Sequence, residues 1–103
     1  DVSQAIQGKL TLELRPIDLA ITLQSAIDTV QFAAQAKAIT LELRGLSSVN
    51  LIADSDRLQQ VFWNLLSNAI KFTPENGRVE VELSTIGDAN RYAQVRVTDT
   101  GVG

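Results

Sequence analysis

No cysteine occurs in the 103 residues, which excludes disulfides, zinc ribbons, thiol nucleophiles and iron–sulfur clusters for this chain. Histidine is absent as well. A Ser-His-Asp triad, an imidazole general base and a histidine-ligated metal cannot be built, so any metal must be a hard cation held by oxygen. Lysine and arginine are scattered with no basic run, and the formal net charge is -3, which argues against a nucleic-acid-binding face and against a patch for anionic membranes. No signal-peptide pattern and no apolar stretch of membrane length is present. These absences leave the reading of a cytoplasmic domain. Aromatic residues make up only 5%, but 45% of the chain is hydrophobic and 20% charged, the balance of one soluble globular domain. A chain of this size buries only ~60–65% of its unfolded surface, so it has little stability to lose.

The order of elements follows from the spacing of apolar residues. Val2 to Gln7, stopped by Gly8, reads as the last turns of a helix from an upstream domain, or as a frayed terminus. Leu10, Leu12 and Leu14 alternate with Thr11, Glu13 and Arg15 as a short strand that Pro16 ends. From Asp18, a plausible N-cap, the residues Leu19, Leu23, Ala26, Ile27, Val30 and Ala34 recur at helical spacing, and this helix ends near Lys37. Ile39, Leu41 and Leu43 alternate as a second strand. Gly45 to Ser48 turn the chain, and Val49 to Ala53 form a third strand. A second helix begins at Asp54 or Ser55 and ends before Pro74. Beyond the turn Pro74-Glu75-Asn76-Gly77, Val79, Val81 and Leu83 alternate in a fourth strand, and Gly87 to Asn90 close a hairpin into a last strand, Arg91 to Thr98. The order β-α-β-β-α-β-β predicts an α/β two-layer sandwich, with helices packed on one face of a mixed, largely antiparallel sheet.

The second helix divides into two faces at 100° per residue. Leu58, Val61, Phe62, Leu65, Ala69 and Phe72 are assigned to its core face. Gln60, Asn64, Ser67, Asn68 and Lys71 form a narrower polar stripe beside it. Every amphipathic helix has a solvated face, but asparagine is a mediocre helix former, and solubility alone would call for Glu, Lys or Arg. An asparagine amide oxygen is a hard ligand suited to Mg²⁺, and a lysine one turn on suits phosphate. Together they suggest a metal-phosphate site. In the last strand Ala93, Val95 and Val97 share one face, and the next residue in that row is Asp99, a carboxylate aimed where the core should lie. Such a group either starts a turn at the strand end or accepts hydrogen bonds from a buried ligand amine, with Gly101 and Gly103 letting the backbone come close to that ligand.

Asp56 to Pro74, DRLQQVFWNLLSNAIKFTP, closely resembles the N box of sensor histidine kinases of two-component systems, and Asp99 to Gly103, DTGVG, resembles their G1 box. The resemblance implies that residues 1–9 end a linker or helix from an upstream dimerisation domain and that 10–103 form the N-terminal portion of a Bergerat-type ATP-binding domain, the sandwich shared with gyrase, Hsp90 and MutL. It implies ATP and Mg²⁺ as cofactors. Asn68 would coordinate the metal, Asn64 and Lys71 would lie along the phosphates, Phe72 would line the pocket unless it is a core aromatic, and Asp99 would receive the adenine amino group. ATP-hydrolysing relatives carry a glutamate four residues before the metal-binding asparagine. Here that position is Asn64, which cannot act as a general base at neutral pH, so the site reads as built to position ATP for transfer rather than hydrolysis.

By the same resemblance, the acceptor histidine belongs to a separate dimerisation domain. The partners implied are that domain, a response regulator and a second copy of the parent, which is either soluble or membrane-anchored. The sequence stops directly after the G1 box, before the family's lid, second glycine-rich motif and further strands. The expectation is an incomplete sandwich with an exposed sheet edge and an uncovered apolar face, binding ATP weakly or not at all alone. Two other readings remain: a non-catalytic module derived from the same fold, and an ATPase of the gyrase or Hsp90 type, which Asn64 disfavours. Trp63, at the margin of the helix, reads as a packing residue.

Overall fold

Two aspartates start the two helices of the computed structural model, which describes residues 13–87 and 92–100. The expected helix tail at Val2 to Gly8, most of the hairpin turn at Gly87 to Asn90, and Gly101 and Gly103 lie outside those residues. Asp18 caps α1 (Leu19–Ala36) by accepting the Ala20 N–H at 3.0 Å, and Asp54 caps α2 (Ser55–Phe72) by accepting the Arg57 N–H at 3.2 Å. Each carboxylate also ties down a second segment. Asp18 accepts from the Ser48 hydroxyl at 2.8 Å and the Val49 N–H at 3.1 Å, and Asp54 accepts from the Glu13 N–H at 3.0 Å. Both carboxyls are thereby held below the usual carboxylate range, Asp18 chiefly by Ser48 and Asp54 chiefly by the Glu13 N–H.

The strands are β1 (Arg15–Asp18), β2 (Thr40–Gly45), β3 (Asn50–Ala53), β4 (Arg78–Ile86) and β5 (Tyr92–Asp99), which reproduces the order read from the sequence. They form two sheets. A small antiparallel pair, β1 with β3, sits at the starts of the helices, while β2-β4-β5 forms the main sheet, parallel between β2 and β4 and antiparallel between β4 and β5. Both helices cover one face of the main sheet. There Val79, Val81 and Leu83 of β4 are completely buried against Leu23 and Leu66 of the helices, with Leu41, Leu43, Val95 and Val97 packed around them. The opposite face carries Glu42, Arg44, Arg78 and Glu80, joined by ion pairs of 3.4–3.5 Å.

Two assignments need correction. Proline does not end the first strand: β1 includes Pro16, opposite Ile52, while Leu14 is exposed before it. Both strands of a two-stranded sheet are edges, so a residue without an N–H is tolerated there. Leu10 to Leu12 lie outside the described residues. The core face of α2 is also rotated from the expected one. Phe62, Leu66, Ala69 and Ile70 are buried, whereas Val61, Leu65 and Phe72 are 50%, 47% and 66% exposed. The reason is that α2 packs against α1 as well as the sheet. Thr22 Oγ1 meets Ser55 Oγ at 3.3 Å near their starts, and Lys37 Nζ reaches the Ile70 carbonyl at 2.8 Å near their ends, turning the buried arc of α2 toward α1.

Candidate functional site

Along α2 the residues Asn64, Asn68 and Lys71 are all exposed and one turn apart, and Ser67 is half-buried beside them. The polar stripe is therefore open to solvent. Between it and the buried face runs a second exposed line, Val61, Leu65 and Phe72, that the sequence reading placed in the core. Phe72 is not a core aromatic. The Lys71 ammonium stands 5.5 Å from the centre of its ring, a cation–π contact at the end of the helix. The exposed flank combines amide oxygens, one ammonium and an apolar strip, a mixture suited to a ligand with both a charged and an apolar part.

α1 packs beside β2 and α2 beside β5, so the flank of α2 turned away from α1 lies on the β5 side of the molecule. In β5 the row Val95, Val97, Asp99 pairs with Leu83, Val81, Val79, and the two valines are half-buried on the helix-covered face. Asp99 continues that row and is itself exposed, at the rim where the core stops. The strand runs one residue beyond the expected end at Thr98, which makes Asp99 part of the ladder rather than of a following turn. It is held there by its neighbour. Thr100 donates its N–H to the Arg78 carbonyl at 3.0 Å, and its hydroxyl accepts the Arg78 N–H at 2.9 Å.

The ends of α2 and β5 meet over Gly77. A Cβ at that position would lie 2.3 Å from Thr73 Cγ2, 2.9 Å from the Pro74 carbonyl oxygen and 3.1 Å from Thr100 Oγ1. Only a residue without a side chain lets this turn pack so closely on Thr73 and Pro74 at the end of α2. Thr73 is fully buried, with its hydroxyl donated to the Ala69 carbonyl at 2.7 Å. Lys37 completes the arrangement by donating to the Ile70 carbonyl and, at 3.2 Å, to the Lys71 carbonyl. Neither role was read from the sequence. Lys37 is remote in the chain from its partners, and nothing in the turn motif marks Gly77 as tightly packed.

Trp63, read as a packing residue, is 47% exposed, as open as Leu65, and lines a shallow recess with Thr29, Asp56, Gln59 and Gln60 between the helices. Among the described residues no cluster of three or more carboxylates could hold a metal by itself. A cation on Asn68 would therefore take most of its oxygen ligands from the bound molecule and water, the usual habit of Mg²⁺ on phosphates. Among the described residues no helix is long and apolar enough to cross a membrane.

Residues 53–103 match the sequence profile of the family described as histidine kinase-, DNA gyrase B-, and HSP90-like ATPase. Signal transduction histidine-protein kinase BarA of Escherichia coli K12 is 38% identical over 107 aligned positions, which cover all of this chain and 12% of BarA. Full-length ShkA, solved in complex with AMPPNP, aligns with a TM-score of 0.75 at 33% identity, covering 89% of this chain and 19% of that one. Histidine kinase ThkA, solved in complex with the response regulator TrrA, gives a TM-score of 0.77 at 21% identity over 98% of this chain and 30% of that one, which speaks for the fold alone. The chain spans only 6% to 14% of the lengths of such curated relatives.

Proposed function

Because the chain belongs to the histidine kinase-, DNA gyrase B- and HSP90-like ATPases, we propose that it is the ATP-binding portion of a sensor histidine kinase. It positions Mg-ATP for transfer of the γ-phosphoryl group to a histidine on a separate, dimeric phosphoacceptor domain, and onward to a response-regulator aspartate. Asn68 holds Mg²⁺ through its amide oxygen, Asn64 and Lys71 lie along the phosphates, and Phe72 lines the pocket. Asp99 receives the adenine amino group, with Gly101 and Gly103 beside it. The chain contains no histidine, so the acceptor must come from elsewhere, and the domain works on the cytoplasmic side. With Asn64 in place of a carboxylate, no side chain of the stripe can deprotonate water, and the residues act by orientation and charge.

The observation that carries this reading is the exposed flank of α2, where Asn64, Asn68, Lys71 and Phe72 stand uncovered on the side toward β5, the strand that ends in Asp99. The nucleotide in ShkA supports the ligand by analogy. The test is a ¹⁵N NMR titration of this chain with millimolar Mg-ATP, which detects weak binding. The side-chain amides of Asn64 and Asn68 and the backbone amides of Lys71, Phe72 and Asp99 are expected to shift together. Shifts confined to other surfaces would contradict the assignment.

A further inference from the structure

We propose that Lys37 is a positioning residue for the nucleotide, supplying the counter-charge that lets the last turn of α2 lie against a triphosphate. The inference rests on the ATP-binding reading above. A helix C-terminus is the unfavourable end for an anion, since the aligned peptide dipoles leave roughly half a negative charge there, whereas phosphates are commonly held at N-termini. Yet Asn68, Lys71 and Phe72 all lie in the final turns of α2.

The structure compensates at the carbonyls themselves. Thr73 takes the Ala69 carbonyl through both its N–H, at 3.1 Å, and its hydroxyl. The next two, those of Ile70 and Lys71, accept from the Lys37 ammonium. A full positive charge thus sits on two of the carbonyls that carry the partial negative charge of the helix end. Lys37 is half-buried with its ammonium committed to these carbonyls, so it acts through the helix rather than by touching the ligand. Its own backbone is fixed as the C-cap of α1, and its carbonyl accepts the Asn76 N–H at 2.9 Å, while the Thr40 N–H bonds the Gly77 carbonyl at 3.0 Å. Lys37 therefore places a charge at the end of α2 and, through its carbonyl, holds the turn that follows the helix.

The test compares Mg-ATP with adenosine, which shares the base but carries no phosphate, in NMR titrations of the unsubstituted chain and two variants. Lys37→Gln, which keeps a donor but loses the charge, is expected to weaken Mg-ATP about three- to tenfold and leave adenosine within about twofold. Lys37→Arg keeps the charge and should hold both ligands within about twofold of the unsubstituted chain. Unchanged Mg-ATP affinity in Lys37→Gln would overturn the proposal. So would an equal loss for both ligands, the signature of a purely structural role, and unfolding of that variant counts as such a loss. Equal weakening of Mg-ATP by the Arg and Gln variants would also overturn it, because charge would then not be the cause. If Mg-ATP shifts surfaces of the unsubstituted chain other than the α2 flank and the end of β5, the ATP reading itself fails and this inference with it.

Discussion

Replacing Gly77 with alanine sets two effects of opposite sign against each other. Gly77 has no positive φ that an alanine could not adopt, so the loss of chain freedom in the unfolded state would by itself stabilise the fold by about 0.4–1 kcal/mol. Against this, the added Cβ would fall 2.3 Å from Thr73 Cγ2 and 2.9 Å from the Pro74 carbonyl oxygen, closer than real Cβ contacts allow. Thr73 cannot swing aside cheaply, since it is fully buried and its hydroxyl is bonded to Ala69. Overpacking of this kind costs about 1–3 kcal/mol, so the net expectation is a loss of about 1–2 kcal/mol. In thermal unfolding followed by circular dichroism, that corresponds to a midpoint lowered by about 5–15 °C for a domain of this size. Thr73→Ser removes the offending methyl while keeping the hydroxyl. The double variant should therefore lose less than the sum of the two singles, with a coupling of at least about 0.5 kcal/mol. A midpoint that rises in Gly77→Ala would refute the reasoning, because the turn would then not be closely packed on Thr73 at the end of α2.

Three other outcomes are expected. Ala38 sits at φ 53° just past the C-cap of α1, where the Ile39 N–H reaches the Ala34 carbonyl in a Schellman arrangement that favours glycine; Ala38→Gly should stabilise the chain by about 0.5–1 kcal/mol in denaturant titration. Leu66→Ala, at a fully buried position, should cost about 2–5 kcal/mol, whereas Phe72→Ala should cost under about 1 kcal/mol because its ring is largely exposed; equal losses would restore the core face assigned from the sequence. Asp18 and Asp54 titrate lower in the folded chain than in the unfolded one. Their contribution is complete above the ordinary aspartate range near ~4 and is lost as pH falls through the folded values, so stability should decline on acidification. Asp18→Asn with Asp54→Asn should flatten that decline, as measured by unfolding midpoints across the acid range.

Most of the architecture was legible in the sequence because period and punctuation agreed with each other. Leu19 to Ala34 keep helical spacing behind an Asp cap, and Val79 to Leu83 keep strict alternation that the ladder uses without a register change. Asp99 was legible as the continuation of the valine row, since strand alternation does not depend on distant partners. What failed depended on tertiary neighbours. The apolar arc of α2 is wider than one sheet can cover, and only the position of α1 decides that Leu66 and Ile70 are buried while Val61, Leu65 and Phe72 are not. Pro16 marked an end only if the first strand lay in a wide sheet, and pairing with β3 alone removes that constraint. Lys37 carried no local signal at all, because its partners are the carbonyls of residues far along the chain.

If the asparagine stripe binds ATP through a metal, ATP affinity measured with and without Mg²⁺ must respond differently in the unsubstituted chain and in Asn68→Ala. Binding to the unsubstituted chain should tighten on adding Mg²⁺, and Asn68→Ala should lose that dependence while remaining folded. Equal Mg²⁺ dependence in both chains would contradict the account.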